Sequence, residues 1–175
     1  MEYLWAPWRI EYIRRDKSQD EGCIFCKKNS EENDEDNLIV YRGETAFVLM
    51  NLFPYNNGHL MIAPYRHTSD ILSLSEDESH EIFELTMLSI CVINTCLKPQ
   101  GYNIGMNLGH VSGAGIADHL HQHIVPRWLG DTNFMPIVGH TKVMMNGLKE
   151  TWKVLHDAFE EIKINQKHLN DKVTF

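Results

Sequence analysis

His119-Leu-His-Gln-His-Ile-Val-Pro126 sets histidine at three alternate positions, 119, 121 and 123. Its apolar partners Leu120, Ile124 and Val125, with a stop at Pro126, predict a β-strand. Residues i, i+2 and i+4 of a strand share one face, so the three imidazoles would line up along about 13 Å of chain at roughly 3.3 Å per residue. Imidazole is the side chain best suited to nucleophilic and proton-transfer work near neutral pH, and it is also a common metal ligand. Strict period two therefore marks a site. The spacing alone leaves metal ligation and covalent catalysis both open.

Working outward, strands are predicted at Leu38–Arg42, Thr45–Met50 and His59–Ala63, with Gly43-Glu44 a tight turn and Asn56-Asn57-Gly58 turn chemistry before the third. Ser75-Glu-Asp-Glu78 is a capping-box pattern. It opens a helix whose apolar positions Ile82, Leu85, Leu88, Val92 and Cys96 keep helical spacing until Pro99. Tyr102–Leu108 reads as a strand, followed by the glycine-rich stretch Gly109–Gly115 and the histidine strand. A helix is expected over about Met145–Ile164, then a loose tail. Strands, a long helix and more strands give an α+β fold with a mainly antiparallel sheet. The expected organisation is an N-terminal arm over residues 1–21 carrying Trp5, Pro7, Trp8 and Tyr12, a main domain over 22–140, and a C-terminal helix and tail over 141–175.

The 175 residues suit one domain with a sizeable core, and 43% hydrophobic with 23% charged residues is ordinary for a soluble globular protein. The apolar stretches look too short for a membrane span and the N-terminus lacks a signal-peptide layout, so a cytoplasmic protein is expected. A net charge of −8 argues against broad nucleic-acid binding but leaves an anionic small ligand possible. Much of that charge sits in Glu31, Glu32, Asp34, Glu35 and Asp36, read as a solvated loop. Cys91 and Cys96 fall in the helical pattern and read as packed thiols. Cys23-Ile-Phe-Cys26 has the spacing of half a zinc site, which needs two further ligands. A redox pair is the alternative, although no βαβ pattern surrounds it.

These residues resemble the histidine triad (HIT) superfamily. His119–Val125 matches its His-φ-His-φ-His-φ-φ motif, while Asn51–His59, Leu60–Pro64 and Tyr65-Arg-His67 are similar to the family's segments up to and after its Gly-His strand. Cys23 and Cys26 resemble the pair of zinc-binding bacterial members, and the likeness spans about residues 22–140. The resemblance implies a homodimer whose protomers join sheets, with a nucleotide bound across the histidine strand. It implies that His121 attacks the α-phosphorus and carries a nucleotidyl-imidazole intermediate, its other nitrogen held by a backbone carbonyl. By the same match His123 contacts phosphate oxygens and His59 is a second donor toward the phosphates or leaving group. Asn51 would hold the ribose hydroxyls and Asn107 would line the phosphate end. Phe25 and Leu52 are candidates for the base pocket, with plain core the alternative. The implied structural zinc ligands are Cys23, Cys26, His67 and His119.

Two departures from the family pattern stand out. Gln122 occupies a slot usually apolar, so the face opposite the histidines must offer it a hydrogen-bond partner. Ser112-Gly-Ala-Gly-Ile-Ala-Asp118 replaces the Gly-Gln-Ser-Val loop of many members, leaving Ser112 and the backbone at Gly113 as phosphate contacts. That loop, Arg127-Trp128 and Gly130–Phe134 look more like bacterial diadenosine tetraphosphate phosphorylases than phosphoramidases. Arg127 is a candidate partner for a distal phosphate, or a surface arginine. The implied activity is cleavage of dinucleoside polyphosphates, resolved by water or inorganic phosphate. The alternatives are a nucleoside phosphoramidase, a non-catalytic nucleotide-binding regulator, and a zinc scaffold for a protein partner.

Overall fold

Alternation of apolar side chains in short β-rich segments builds a five-stranded sheet in the order β1-β2-β3-β5-β4, every neighbouring pair antiparallel. The computed structural model describes residues 22–131 and 147–173. The Trp5/Trp8 arm and the stretch from 132 to 146, with His140, lie outside the described residues. The strands are β1 (Ile39–Arg42), β2 (Ala46–Met50), β3 (Leu60–Pro64), β4 (Gly101–Met106) and β5 (Gln122–Arg127). The helices are α1 (Ile24–Ser30), α2 (Asp34–Asn37), α3 (Glu76–Leu97) and α4 (Leu148–Val173).

Both faces of the sheet are covered, by different material. Val48, Met50, Leu60, Ile62 and Ile124 point to one face, where Ile82, Leu85, Val92 and Ile93 of α3 and Leu155 and Phe159 of α4 complete the main core. Phe47, Leu49, Met61 and Ala63 point to the other, where Phe25 of α1 packs with Ile39, and Cys23, Ile24 and Tyr65 flank it. His123 pairs with Met61 across the β3–β5 ladder, so it belongs to the α1 face, whereas Gln122, opposite Ile62, belongs to the helix face. The sheet thus sets His123 on one side and helical support on the other.

Ser75 accepts from the Glu78 N–H while the Glu78 carboxylate accepts from the Ser75 N–H, so the expected capping box opens α3. Such a cap is worth about 1 kcal/mol. Glu81 on the same helix reaches the β1–β2 turn and accepts from the backbone N–H groups of Glu44, Thr45 and Ala46, fixing the helix against the hairpin.

Several expectations need correction. Only Gln122 onward is strand: His119 sits in a bend and His121 in irregular chain before it, a segment whose one backbone hydrogen bond to another part of the chain is Leu120 N–H on the Thr68 carbonyl. Pro126 does not stop β5. It pairs with Tyr102 on β4, beyond the last β3 partner, and its carbonyl takes the Asn56 amide. A missing N–H is tolerated where no third strand needs it. The acidic stretch is partly a helical turn, capped by the Asn33 side chain and tied by Asp34 to Arg42 at 2.7 Å. Cys91 is exposed rather than packed, since α3 shows solvent a stripe with Phe83 and Met87. By length and hydropathy α3 is apolar enough to cross a membrane, yet its inner side chains belong to the core. The C-terminal helix runs from Leu148 to Val173, past the expected end at Ile164.

Candidate functional site

Turns and strand ends bring five histidines into one row. His67 follows β3, His59 precedes it, and the triad enters β5. Ring centroids lie 5.2 Å apart for His67–His119, 4.9 Å for His121–His123 and 5.1 Å for His123–His59. Phe25 bridges the gap between His119 and His121 at 5.1 and 4.9 Å. The shared face expected for the triad is therefore present, although only its last member lies in a regular strand.

Hydrogen bonds fix which nitrogen of each ring holds a proton. A backbone carbonyl can only accept, so the His119 Nε2 at 2.9 Å from the Pro64 oxygen must be N–H. In the neutral ring that leaves the His119 Nδ1 lone pair facing Cys23 Sγ at 3.2 Å, His67 Nδ1 at 3.3 Å and Cys26 Sγ at 3.6 Å. Two residues on, the assignment reverses. His121 Nδ1 donates to the His119 carbonyl at 2.8 Å, so its lone pair is on Nε2. Burial pushes both His119 and His121 below the ordinary imidazole range, each partly opposed by its backbone hydrogen bond. A neutral His121 with its lone pair on Nε2 is the form a nucleophile requires.

At the far end the donors are again unambiguous. The Tyr55 N–H donates to His59 Nδ1 at 3.1 Å, and the Asn51 amide nitrogen lies 3.4 Å from the same atom. His59 Nδ1 is thus an acceptor and its proton sits on Nε2, 2.9 Å from His123 Nδ1. His123 in turn carries its own proton on Nε2. His59 is fully buried, with the Tyr55 ring 4.6 Å away.

The ligating atoms of Cys23, Cys26, His67 and His119 all lie within 4.8 Å of one another. Four donors at the corners of a tetrahedron around Zn²⁺, with Zn–N near 2.0 Å and Zn–S near 2.3 Å, sit about 3.3–3.8 Å apart. The short contacts above match that spacing. Desolvation and the neighbouring Cys23 push the Cys26 thiol up. Cys₂His₂ donors with no open position suit a structural zinc. The segment holding His67 is anchored next door: Arg66 grips Glu78 at 2.7 Å and the Ser73 carbonyl at 2.8 Å.

The remaining expected residues are placed as follows. Asn51 is half-buried at the end of β2, its oxygen accepting from the Phe53 N–H. Leu52 is 50% exposed and available to a ligand. Phe25 is fully buried between two histidine rings, so its surface is spent on the protein itself. Asn107 is half-buried after β4, while Ser112 is exposed in a 3₁₀ turn and bonds the Gly109 carbonyl at 2.6 Å. Gly113 has φ +85°, which a side chain would strain, and open space where a Cβ would stand. Gln122 finds the partner its position demanded: its amide donates to the Thr86 hydroxyl at 2.6 Å, which donates on to the Ile82 carbonyl.

Arg127 is committed to protein. Its Nε and Nη2 fork onto Asp131 at 2.6 and 3.0 Å, and Nη1 donates to Asn103. Tyr55, Asn56 and Asp131 carried no site role in the sequence reading, where Asn56 was only a turn residue. The available signal was an Arg127–Asp131 charge pair at i,i+4 flanking the Gly130 turn, which carries no hint of its third partner, Asn56.

A HIT domain family model matches residues 32–128. An AP-4-A phosphorylase of Mycobacterium tuberculosis is 39% identical over 161 residues, covering 89% of this chain and 83% of that protein. A bis(5'-adenosyl)-triphosphatase of Saccharomyces cerevisiae is 32% identical over 93 residues, 51% of this chain and 44% of the relative. Among solved structures, a zinc-bound histidine triad family protein from Mycobacterium smegmatis superposes with a TM-score of 0.65 at 20% identity, over 82% of this chain and 97% of that one.

Proposed function

This chain belongs to the HIT domain family and is a HIT-type enzyme; on that premise we propose that it cleaves dinucleoside polyphosphates such as diadenosine tetraphosphate by phosphorolysis. The observation that carries the reading is the His121 tautomer: Nδ1–H on the His119 carbonyl, the lone pair left on Nε2, ring neutral. Nε2 attacks the α-phosphorus, a P–N bond forms, and the bridging P–O bond breaks to release ATP. The imidazolium character that develops is stabilised by the His119 carbonyl. His123, its proton held on Nε2 by His59, donates to the phosphoryl oxygens, the type of contact often worth about 3 kcal/mol. Inorganic phosphate then attacks the adenylyl-histidine and leaves as ADP, restoring His121. The 39% identical phosphorylase supports phosphate rather than water as the second acceptor.

Asn51 is assigned to the ribose hydroxyls, Leu52 to the base, and Asn107, Ser112 and the Gly113 backbone to the phosphates. Cys23, Cys26, His67 and His119 would hold a structural zinc that ties α1 to the entry of β5, with the reaction itself left to the protein's own groups. The active form is assigned as a homodimer in which β4, an edge strand of the sheet with its Ile104 exposed, and the Phe83/Met87 stripe of α3 face a second copy.

Product analysis of diadenosine tetraphosphate incubated with the pure protein tests the reading. Phosphate-dependent ADP and ATP are expected. AMP and ATP without phosphate would make it a hydrolase, and no turnover in either tube would overturn both.

A further inference from the structure

The carboxylate of Asp131 gathers more partners than a surface ion pair needs. It accepts from Arg127 Nε at 2.6 Å, Arg127 Nη2 at 3.0 Å, Asn56 Nδ2 at 2.8 Å and the Trp128 N–H at 3.2 Å. Its side chain is only 8% exposed. Asn56, itself buried, divides its amide between this carboxylate and the Pro126 carbonyl at 2.9 Å. Asn56 also supplies the carbonyl that accepts the His59 N–H, and Tyr55 immediately before it supplies the N–H that fixes His59 Nδ1. The end of β5 is thus bolted to the turn that sets the tautomer of His59, and through it that of His123. Gly58 makes the turn possible with φ +70° where an added Cβ would collide with Leu97.

We propose that Asp131 is a positioning residue: by clamping Arg127 and Asn56 together it holds the Tyr55–Asn56 turn against His59, and so fixes the proton that His123 offers to the phosphates. The inference rests on the catalytic role of His123 proposed above. It assigns Arg127 to the same clamp. Arg127 lies on the histidine face of β5, four residues past His123, so direct phosphate binding is the rival it must exclude.

The clamp acts at a distance, so it has two independent readouts. Ring ¹⁵N shifts of His59 and His123 report tautomers in the free full-length protein whether or not a substrate is turned over. Wild type should show both rings protonated at Nε2. In Asp131→Ala, and in Asp131→Asn if the first fails to fold, His59 should become a tautomeric mixture and His123 should follow. In turnover assays kcat should fall about tenfold or more with KM within about twofold, since the loss is one of placement. Asp131→Ala should cost little beyond His59→Ala when the two are combined, because both act through the same ring. Unchanged His59 and His123 shifts in a folded Asp131 variant would overturn the proposal. So would additive losses with His59→Ala, or a KM effect in Arg127→Ala without any shift change, which is the signature of a phosphate contact. Shifts that respond in a protein with no turnover on any dinucleotide would keep the clamp and sink the proposed function instead.

Discussion

His119 and His121 are two residues apart, both buried, both held by a backbone carbonyl, and yet fixed in opposite tautomers. Pro64 holds the Nε2–H of His119 and turns its Nδ1 toward two sulfurs and His67. The His119 carbonyl holds the Nδ1–H of His121 and leaves the lone pair on its Nε2. The difference lies in which carbonyl each ring meets. That depends on β3 and on the turn of the chain just ahead of β5, and on nothing in the histidines. A row of identical side chains is thereby divided into an end facing sulfur and an end with its Nε2 lone pair unengaged, the proposed structural and reacting ends, with the Phe25 ring as the divider.

The largest effect should come from the reacting end. His121→Ala is expected to lower turnover by about 10³-fold or more while leaving zinc content and melting temperature close to wild type. A variant that kept its rate would erase the distinction between the two ends. At the structural end, stripping zinc or substituting Cys26→Ser should invert the pattern. Stability should drop by about 3 kcal/mol, or roughly 6–12 °C in Tm for a chain of this size, seen by calorimetry with and without chelator. A metal-free protein of unchanged Tm would refute the site.

Support from behind the sheet should matter less. Gln122→Leu removes the bond to Thr86 but leaves that hydroxyl donating to Ile82, so about 1 kcal/mol of stability and only a few-fold of kcat should be lost. A loss as large as that of His121→Ala would mean the helix face takes part in the chemistry. The smallest effect concerns pH. Arg66 and the Ser75 N–H hold the Glu78 carboxyl at about 2, below its usual 4.5. Its folded value is depressed, so the stabilisation is full above about pH 4.5 and fades as pH falls toward 2. The stability gap between wild type and Glu78→Gln in urea titrations should therefore be constant from pH 7 to 5 and shrink by pH 3. A gap that widened in acid would contradict the pairing that anchors the His67 segment.

The α+β class, the capped helix and the antiparallel strands were legible because each rests on local periodicity or a local cap. The shared row of the triad was legible for the same reason. Its division was not, since the partners of His119 come from positions 23, 26, 64 and 67 and no local rule joins them. Pro126 misled because proline stops a strand only where a neighbour needs its N–H, which is a property of sheet order. The acidic run misled because Arg42 and the Asn33 cap, rather than its own composition, decide that Asp34–Asn37 turns helical. Asp131 and Asn56 escaped notice because their bond spans 75 positions.

The most direct test of the division is intact and peptide mass analysis of the protein quenched during turnover of diadenosine tetraphosphate without inorganic phosphate. The account predicts an adenylyl group on His121 alone, with zinc still bound to the native chain. An adduct on His119 or His123, or steady turnover with no adduct trapped at any quench time, would contradict it.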